Sequence, residues 1–222
     1  MKIAIIPARK GSTRIPNKNI KLFFGKPILS YTIETAKKTR LFDKIVVSTD
    51  CKKIANIACK FGAEVPFLRP KYLAKNFIST HAVVKHVLKF YLKLKIDITQ
   101  VCCLYPCAPL LNCKDIISTY KILKKNSYSY IVTNFDIDIS TALYMNPNDI
   151  MKRHNYKELK KLKNSLYCDA GQLYWADTKT WLNSGQDILN NGVGYFLPNN
   201  KIIDINQLKD WEKAKSIFKK NK

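Results

Sequence analysis

The sequence contains no long hydrophobic run. No apolar stretch approaches the roughly 20 residues that a membrane-spanning helix needs, and we therefore expect no membrane contact. The short apolar run near the N-terminus lacks the small-residue cleavage site of a secretory signal, so it is interpreted as a buried strand. The protein is accordingly expected to stay in the cytoplasm.

Clustered metal ligands are also missing from the sequence. The seven cysteines include no CxxC pair, and the three histidines lie far from any cysteine cluster. Because zinc is held by clustered ligands, this spacing favours reduced thiols that act as small core residues over a zinc site. Cys102 and Cys103 are adjacent in an apolar run, so on a strand their side chains would face opposite sides.

Acidic residues are scarce beside basic ones. The chain has 39 Lys and Arg against 16 Asp and Glu, which gives a formal net charge of +23. Such a balance is frequent in nucleic-acid-binding proteins. Here, however, the lysines are spread along the chain and Asn and Ile are also abundant, as in proteins of AT-rich genomes, so compositional drift is favoured over nucleic-acid binding. In either case the positive field should attract polyanions such as a nucleoside triphosphate.

The rest of the sequence is typical of a globular protein, and its apolar pattern predicts strands that alternate with helices. With 222 residues, of which 46% are hydrophobic, the chain fits a single domain over residues 1–222 with a full core. Apolar runs predict strands at 2–7, 44–48, 63–68, 100–104 and 128–133. Helical spacing predicts helices at 27–39, 52–61, 80–93 and 115–125. This alternation predicts an α/β fold with a doubly wound, mostly parallel sheet.

The alternation stops at about residue 134. Residues 134–168 are polar and basic with a weak apolar period, and a connection of this length is usually functional or forms an interface. Regular structure is predicted to resume at 171–176, followed by a short helix at 178–182, a strand at 201–205 and a final helix at 207–219.

The loop after the first predicted strand, residues 7–19, is basic and lies where ligands bind to open parallel sheets. It reads PARKGSTRIPNKN and combines four cationic side chains with a glycine and a serine whose backbone N–H groups can face a phosphate. It is neither a Walker A loop nor a GxGxxG loop. Taken alone, a solvated basic loop explains it equally well. We call this segment the basic loop.

Three further predicted strand ends carry polar residues. They are Asp50, Arg69 and the segment YPCAP at 105–109. Asp50 as a helix cap and Arg69 as the partner of a carboxylate are the simpler alternatives. Because the carboxyl ends of parallel strands meet at one edge, a single shared crevice is favoured.

Six motifs follow one another in order over nearly the whole chain: PARKGSTRIPNKNI, FGKPIL, LFDKIVVSTD, FGAEVPFLRP, YPCAP and DWEKA. In these motifs the chain resembles the acylneuraminate (sialic-acid-type) cytidylyltransferase family. The segment CDAGQLYW at 168–175, together with YPCAP, is most similar to the pseudaminic acid branch.

The resemblance implies a reaction. The anomeric hydroxyl of an acidic nine-carbon sugar attacks the α-phosphate of CTP and pyrophosphate leaves, with Mg²⁺ on the phosphates. The product would supply surface or flagellin glycosylation. No Ser-His-Asp or Cys-His arrangement is evident in the sequence, which suits a reaction without a covalent enzyme intermediate.

The resemblance also implies the site residues. Catalytic roles fall to Arg9, Lys18 and Asp204. The nucleotide-binding positions are Ala8, Arg9, Gly11, Ser12, Lys18, Asn19, Arg69, Thr80 and Tyr105. The sugar would contact Asp169 and Gln172, and Mg²⁺ would be held at Asp204 and Asn206. The resemblance further implies a homodimer with residues 134–168 at the interface.

The chain departs from the family pattern at several positions. Lys10 stands where a glycine is usual and Thr13 where a lysine is usual. Asn76 lies near a usual acidic position, and Asn206 replaces the second carboxylate of a D-x-D motif. The arginine-rich pattern expected before Asp169 is also missing. Three interpretations therefore stay open: a pseudaminic acid cytidylyltransferase, the same chemistry on a sialic or legionaminic acid, or a non-catalytic nucleotide- or RNA-binding homologue.

Overall fold

The structure is a computed structural model that describes residues 1–124, 128–134, 143–145, 151–152, 166–183 and 192–221. The strands in this part of the chain are β1 (Lys2–Pro7), β2 (Leu22–Phe23), β3 (Lys26–Pro27), β4 (Lys44–Ser48), β5 (Gln100–Leu104), β6 (Tyr128–Asn134), β7 (Leu143–Met145), β8 (Met151–Lys152), β9 (Leu166–Asp177) and β10 (Val193–Phe196). The helices are α1 (Ile28–Lys38), α2 (Lys52–Lys60), α3 (Thr80–Lys93), α4 (Cys113–Leu123), α5 (Thr178–Leu182) and α6 (Leu208–Lys220). Short 3₁₀ turns span Lys18–Ile20 and Lys71–Ala74.

The main sheet has the strand order β10-β6-β9-β5-β1-β4. β1 pairs in parallel with both β4 and β5, and β10 pairs in parallel with β6. The long strand β9 lies antiparallel between β5 and β6. The predicted α/β fold is therefore confirmed, with the difference that one antiparallel strand separates two parallel groups.

Helices cover the sheet from two sides, so β1 is buried on both faces. Ala4 and Ile6 belong to a layer that includes residues of α1, α2 and α4, whereas Ile3 and Ile5 belong to a layer with residues of α3 and α5. This division follows from the period of 2 along a strand. Burial on both faces explains why β1 reads as a continuous apolar run.

The cysteines act as small core residues only in part. All seven lie in the described part of the chain and are free thiols, but only Cys102, Cys103 and Cys107 are buried, and Cys59 is exposed. Cys102 belongs to the first of the two layers and Cys103 to the second, so the adjacent side chains do face opposite sides of the sheet.

The helices lie where apolar spacing predicts them, and their ends follow capping chemistry. α3 spans the predicted range and begins after Ser79, whose hydroxyl accepts a hydrogen bond from the Ala82 amide. α4 begins earlier than predicted because Asn112 and Asp115 form a capping box. Among the helices of the described residues, none has the length and apolar character needed to cross a bilayer.

The predicted strand at 63–68 is wrong. The segment makes only single bridges to β4 and the residue after it, from Glu64 to Val46 and from Leu68 to Thr49. Pro66 lies between these bridges and has no N–H to donate, so a continuous ladder cannot form there.

The predicted strand at 201–205 is also wrong, and β10 is not predicted by the sequence pattern. Ile202 and Ile205 bury their side chains, which explains the apolar run, but the segment joins no strand of the described residues. β10 escapes prediction because its sequence VGYF is short and contains glycine, which disfavours strands.

A third and smaller core joins α6 to the basic loop. Its buried members are Ile15, Phe23, Ile28, Cys107, Ile205, Trp211 and Ala214. Ile15 comes from the basic loop and Ile205 from the segment before α6, so this core fixes those two segments against each other.

Residues 134–168 lie mostly outside the described part of the chain. Within it, β7 pairs in antiparallel fashion with β8 and with β9, and so extends the sheet locally. The predicted dimer interface at 134–168 falls largely on residues that the structure does not describe, and it stays a prediction.

Candidate active site

A pocket opens beside the basic loop, at the carboxyl ends of β1 and β5. It is lined by Pro7, Arg9, Gly11, Ser12, Thr13, Arg14, Lys18, Asn19, Arg69, Ile78, Thr80, Val83, Tyr105, Pro106 and Asn206. Four of these residues are cationic, and within the described part of the chain no carboxylate lines the pocket. Thr80 and Val83 come from the first turn of α3, whose N-terminal end carries positive dipole charge. Charge and position together define an anion-binding pocket.

Hydrogen bonds hold the basic loop at both ends. The Lys10 amide donates to Asp50 Oδ1 at 2.8 Å, so the Asp50 carboxylate holds the backbone of the basic loop. At the other end the buried Asn19 donates from Nδ2 to the Arg9 carbonyl at 2.8 Å. Its Oδ1 accepts from Cys107 Sγ at 3.2 Å. The loop backbone is therefore fixed before any ligand arrives, as an anion site requires.

Arg69 is a buried cation in the pocket wall, only 4% exposed. Its guanidinium donates to the carbonyls of Ser48 at 3.0 Å and Leu73 at 3.4 Å. Nε is buried and finds no partner among the described residues. Burial lowers the pKa of Arg69 to about 10, with Asp50 opposing the shift and Arg9 adding to it. The side chain thus stays charged at neutral pH and adds to the positive charge of the pocket.

Tyr105 and Thr80 form a wall of mixed character. Their hydroxyl oxygens lie 3.3 Å apart, and Ile78 and Val83 add apolar surface beside them. Burial raises the pKa of Tyr105 to about 12, so the phenol stays protonated near neutral pH. Such a wall, apolar with a few hydroxyl groups, suits a flat heterocycle with polar edges.

The segment before α6 closes the pocket from the other side. Lys18 Nζ donates to the Ile205 carbonyl at 2.6 Å. Arg14 donates to Asn206 Oδ1 at 3.3 Å, and Asn206 Nδ2 donates to Asp204 Oδ2 at 2.6 Å. The Asp204 residue as a whole is exposed, but desolvation of its carboxyl raises its pKa, and the hydrogen bond from Asn206 acts against this shift. Two cations and one amide therefore connect the basic loop to Asp204.

Most of the predicted site residues line this pocket: Arg9, Gly11, Ser12, Lys18, Asn19, Arg69, Thr80, Tyr105 and Asn206. Asp204 adjoins the lining through Asn206. Ala8 is fully buried in the core, and its amide donates to the Ser48 carbonyl at 2.9 Å, which places the start of the loop on the sheet.

The two predicted sugar contacts are not among the lining residues. Asp169 accepts hydrogen bonds from the Tyr174 hydroxyl at 2.5 Å and from the Gly171 amide at 3.0 Å. Gln172 is 1% exposed, and its amide donates to backbone carbonyls. As placed, Gln172 faces the protein interior, and a sugar contact stays a prediction for both residues.

Sequence reasoning does not assign Arg14, Asn76 and Cys107 to the site. Arg14 lines the pocket, Cys107 braces Asn19, and Asn76 Oδ1 accepts from the Arg9 guanidinium. The sequence does point to the neighbourhood of two of them, since Arg14 and Cys107 lie inside the motifs quoted above. Their partners come from distant parts of the chain, so the contacts themselves require the fold.

A fixed basic loop at the carboxyl edge of an α/β sheet, with a wall of apolar groups and hydroxyls beside it, is the arrangement expected of a protein that binds a phosphorylated ligand such as a nucleotide. The sequence profile described as Cytidylyltransferase matches residues 3–182 of the chain. The chain therefore belongs to the cytidylyltransferase family, whose members are nucleotidyltransferases.

Individual relatives cover the chain from end to end. The chain is 38% identical to a pseudaminic acid cytidylyltransferase of Campylobacter jejuni subsp. jejuni serotype O:2 over 225 residues, which are 99% of this chain and 97% of the relative. It is 28% identical to a CMP-N,N'-diacetyllegionaminic acid synthase of Legionella pneumophila, over 99% of this chain and 97% of the relative. Among solved structures, CMP:2-keto-3-deoxy-manno-octonic acid synthetase complexed with CTP matches with a TM-score of 0.78 at 14% identity, covering 100% of this chain and 99% of that chain. The structural match supports the fold.

Proposed function

We propose that the protein transfers CMP from CTP to pseudaminic acid and releases pyrophosphate. The observation that supports this most directly is the pocket, in which Arg9, Arg14, Lys18 and Arg69 converge and whose described lining contains no carboxylate. A triphosphate carries the charge that such a pocket lacks. The choice of CTP rests on the family, and the choice of sugar on the relative that is 38% identical over nearly the whole of both chains.

The cytosine base fits the wall opposite the basic loop. Arg69 is a cationic donor in the pocket wall, and the carbonyl oxygen of cytosine is an acceptor. Tyr105 and Thr80 add hydroxyl groups, and Val83 adds apolar surface for the ring. We therefore place the nucleoside at Arg69, Thr80 and Tyr105, and the triphosphate at the basic loop.

The reaction itself needs positioning and charge stabilisation more than covalent help. A bond forms between the anomeric oxygen of the sugar and the α-phosphorus of CTP, and the bond from that phosphorus to the bridging oxygen breaks. Pyrophosphate leaves with the electron pair, and the hydroxyl proton passes to solvent. Lys18 and Arg9 stabilise the charge that develops on the leaving oxygens, and the N–H groups of the fixed loop orient the phosphates.

The donor set beside the pocket fits a Mg²⁺ ion that is shared with the nucleotide. Asp204 offers a carboxylate oxygen, whereas Asn206 already accepts from Arg14 and donates to Asp204. Within the described residues no group of three or more His, Cys, Asp or Glu could hold a metal ion. Mg²⁺ is commonly held by one or two carboxylates together with substrate phosphates. We propose that Asp204 holds an ion that arrives with CTP and neutralises phosphate charge, while Asn206 orients the carboxylate.

The acceptor sugar and the oligomeric state are also part of the proposed function. We place the acidic sugar beside Asp169, at the same edge of the sheet, and the protein in the cytoplasm as a homodimer. Sialic or legionaminic acid is the alternative acceptor, since the Legionella relative covers the chain as fully, although at 28% identity.

The test is pyrophosphate release with a panel of acceptor sugars. Purified protein with CTP and Mg²⁺ should release pyrophosphate with pseudaminic acid faster than with sialic or legionaminic acid, and ATP or GTP should be poor donors. Faster release with another sugar would transfer the proposal to that sugar. No product at high concentration of folded protein, together with RNA binding that falls steeply with salt, would instead support the non-catalytic alternative.

A further inference from the structure

Strand β9 makes a sharp irregularity directly beside Asp204. In its pairing with β6, Tyr130 opposes Tyr174 and Val132 opposes Asp169, so residues 170–173 of β9 oppose Ile131 alone. Extra residues of this kind bend a strand and redirect its side chains. The bulged segment is therefore displaced from the regular ladder toward the segment that precedes α6.

Gly171 is the point at which the bulge touches Asp204. Its φ is +59°, and a Cβ added there would lie 3.0 Å from Asp204 Cγ and 3.1 Å from Oδ2. These distances are tighter than nine in ten real Cβ contacts, so a side chain at this position would push the carboxylate away by a few tenths of an ångström. The left-handed φ adds strain for every residue except glycine. Glycine at 171 thus permits the observed position of Asp204.

Gln172 fixes the same two segments from the interior. Its Nε2 donates to the Ala170 carbonyl at 2.8 Å within the bulge and to the Ile203 carbonyl at 3.1 Å, one residue before Asp204. The backbone carbonyl of Gln172 accepts from the Tyr105 amide at 2.8 Å, which connects the bulge to β5 at the pocket. The buried side-chain amide of Gln172 therefore ties the Asp204 segment to the bulge, and the backbone of Gln172 ties the bulge to β5.

We propose that Gly171 and Gln172 are positioning residues that set the distance of the Asp204 carboxylate from the pocket, and thereby the affinity of the nucleotide complex for a divalent cation. The inference rests on the proposed metal-holding role of Asp204. Residues behind a metal ligand typically change metal affinity by about 10–100-fold when they are lost. With the triphosphate at the basic loop, neither residue touches the phosphates, so binding of metal-free CTP should not depend on them.

The experiment compares Gly171→Ala with Gly25→Ala. Gly25 also has a positive φ, +82°, but an added Cβ would meet nothing within 4 Å, so this variant has the backbone strain without the displaced carboxylate. Mn²⁺ binding to the protein–CTP complex is measured by electron paramagnetic resonance, with no sugar present. Gly171→Ala should weaken Mn²⁺ binding about 10-fold or more, while Gly25→Ala should not. Binding of CTP in EDTA should be the same in both.

A second variant keeps the test valid if Gly171→Ala folds poorly. Gln172→Met conserves volume and removes both donated hydrogen bonds, and it should weaken Mn²⁺ binding in the same direction. Mn²⁺ affinities for folded Gly171→Ala and Gln172→Met equal to that of Gly25→Ala would overturn the proposal. If the variants lose Mn²⁺ affinity but the parent protein releases no pyrophosphate with any sugar, the positioning role stands and the proposed reaction fails.

Discussion

Lys18 connects the basic loop to the segment that carries Asp204, because its ammonium donates to the Ile205 carbonyl at 2.6 Å. Arg9 reaches in the other direction, to the side-chain oxygen of Asn76. We expect Lys18→Ala or Arg9→Ala to lower turnover about 10²-fold, as removal of one contact to developing charge typically does. Steady-state pyrophosphate release measures the effect.

The control for these variants is Lys53→Ala, which removes an exposed cation from α2, away from the pocket. It should leave both turnover and the melting temperature unchanged. The melting temperature should also change little in Lys18→Ala and Arg9→Ala. A large loss of stability with normal turnover in the folded fraction would show that Lys18 and Arg9 are structural.

Asn206 offers a neutral oxygen beside Asp204, where the family resemblance leads one to expect a second carboxylate. We expect Asn206→Asp to lower the Mg²⁺ concentration for half-maximal activity, because the new negative charge attracts the ion in a strongly cationic protein. Asp204→Ala should nearly abolish turnover, and Asn206→Ala should raise the Mg²⁺ requirement because it removes the hydrogen bond to Asp204. The measurement is a Mg²⁺ titration at fixed CTP. An unchanged titration in Asn206→Asp, with an active Asp204→Ala, would place the metal elsewhere.

At the scale of single residues, the sequence predicts types and positions better than contacts. Arg9, Lys18 and Arg69 could be assigned because the motifs that contain them resemble those of a known family. The bonds from Cys107 to Asn19 and from Lys18 to the Ile205 carbonyl could not, because each joins residues far apart in the chain.

Among the secondary-structure elements, α6 supports the pocket indirectly, through the small core. Trp211, 3% exposed, packs against the Phe23 ring at 5.5 Å in the small core that also holds Ile15 and Ile205. We expect Trp211→Ala to destabilise the protein by about 3–5 kcal/mol. It should also raise the KM for CTP, since the basic loop and the Asp204 segment would lose their common support.

The matched control is Leu88→Ala, which empties a fully buried site in the middle of α3. It should destabilise by about 2–5 kcal/mol without changing the KM for CTP, measured well below the melting temperature. Equal effects on KM in both variants would mean that stability alone, and not support of the loop, determines CTP binding.

The predicted elements succeed where hydrophobic period and length agree, as in β1, β4, β5 and α3. The predictions fail where an apolar run is buried for a reason other than strand pairing. Pro66 interrupts the ladder at 63–68, and Ile202 and Ile205 are buried by side-chain packing without strand pairing. The antiparallel direction of β9 also depends on a connection that periodicity does not determine.

At the scale of the whole molecule, we expect the chain to form a homodimer. Residues 134–168 form a connection too long for a simple turn, and we expect them to contact a second subunit. Light scattering at micromolar concentration should give about twice the chain mass of 25.6 kDa. A monomer with full turnover would contradict this and assign the segment another purpose.

Cys102 and Cys103 provide a way to observe the opening of the two layers separately. Burial raises the pKa of both thiols, and neither is accessible to an alkylating reagent in the folded state. Each becomes reactive only when the helices on its own side move away from the sheet. Pulsed alkylation followed by mass spectrometry of variants that keep only one of the two would report the opening rate of each side. Two adjacent residues of one strand would thus report separately on the opening of the two layers that pack on opposite faces of the sheet.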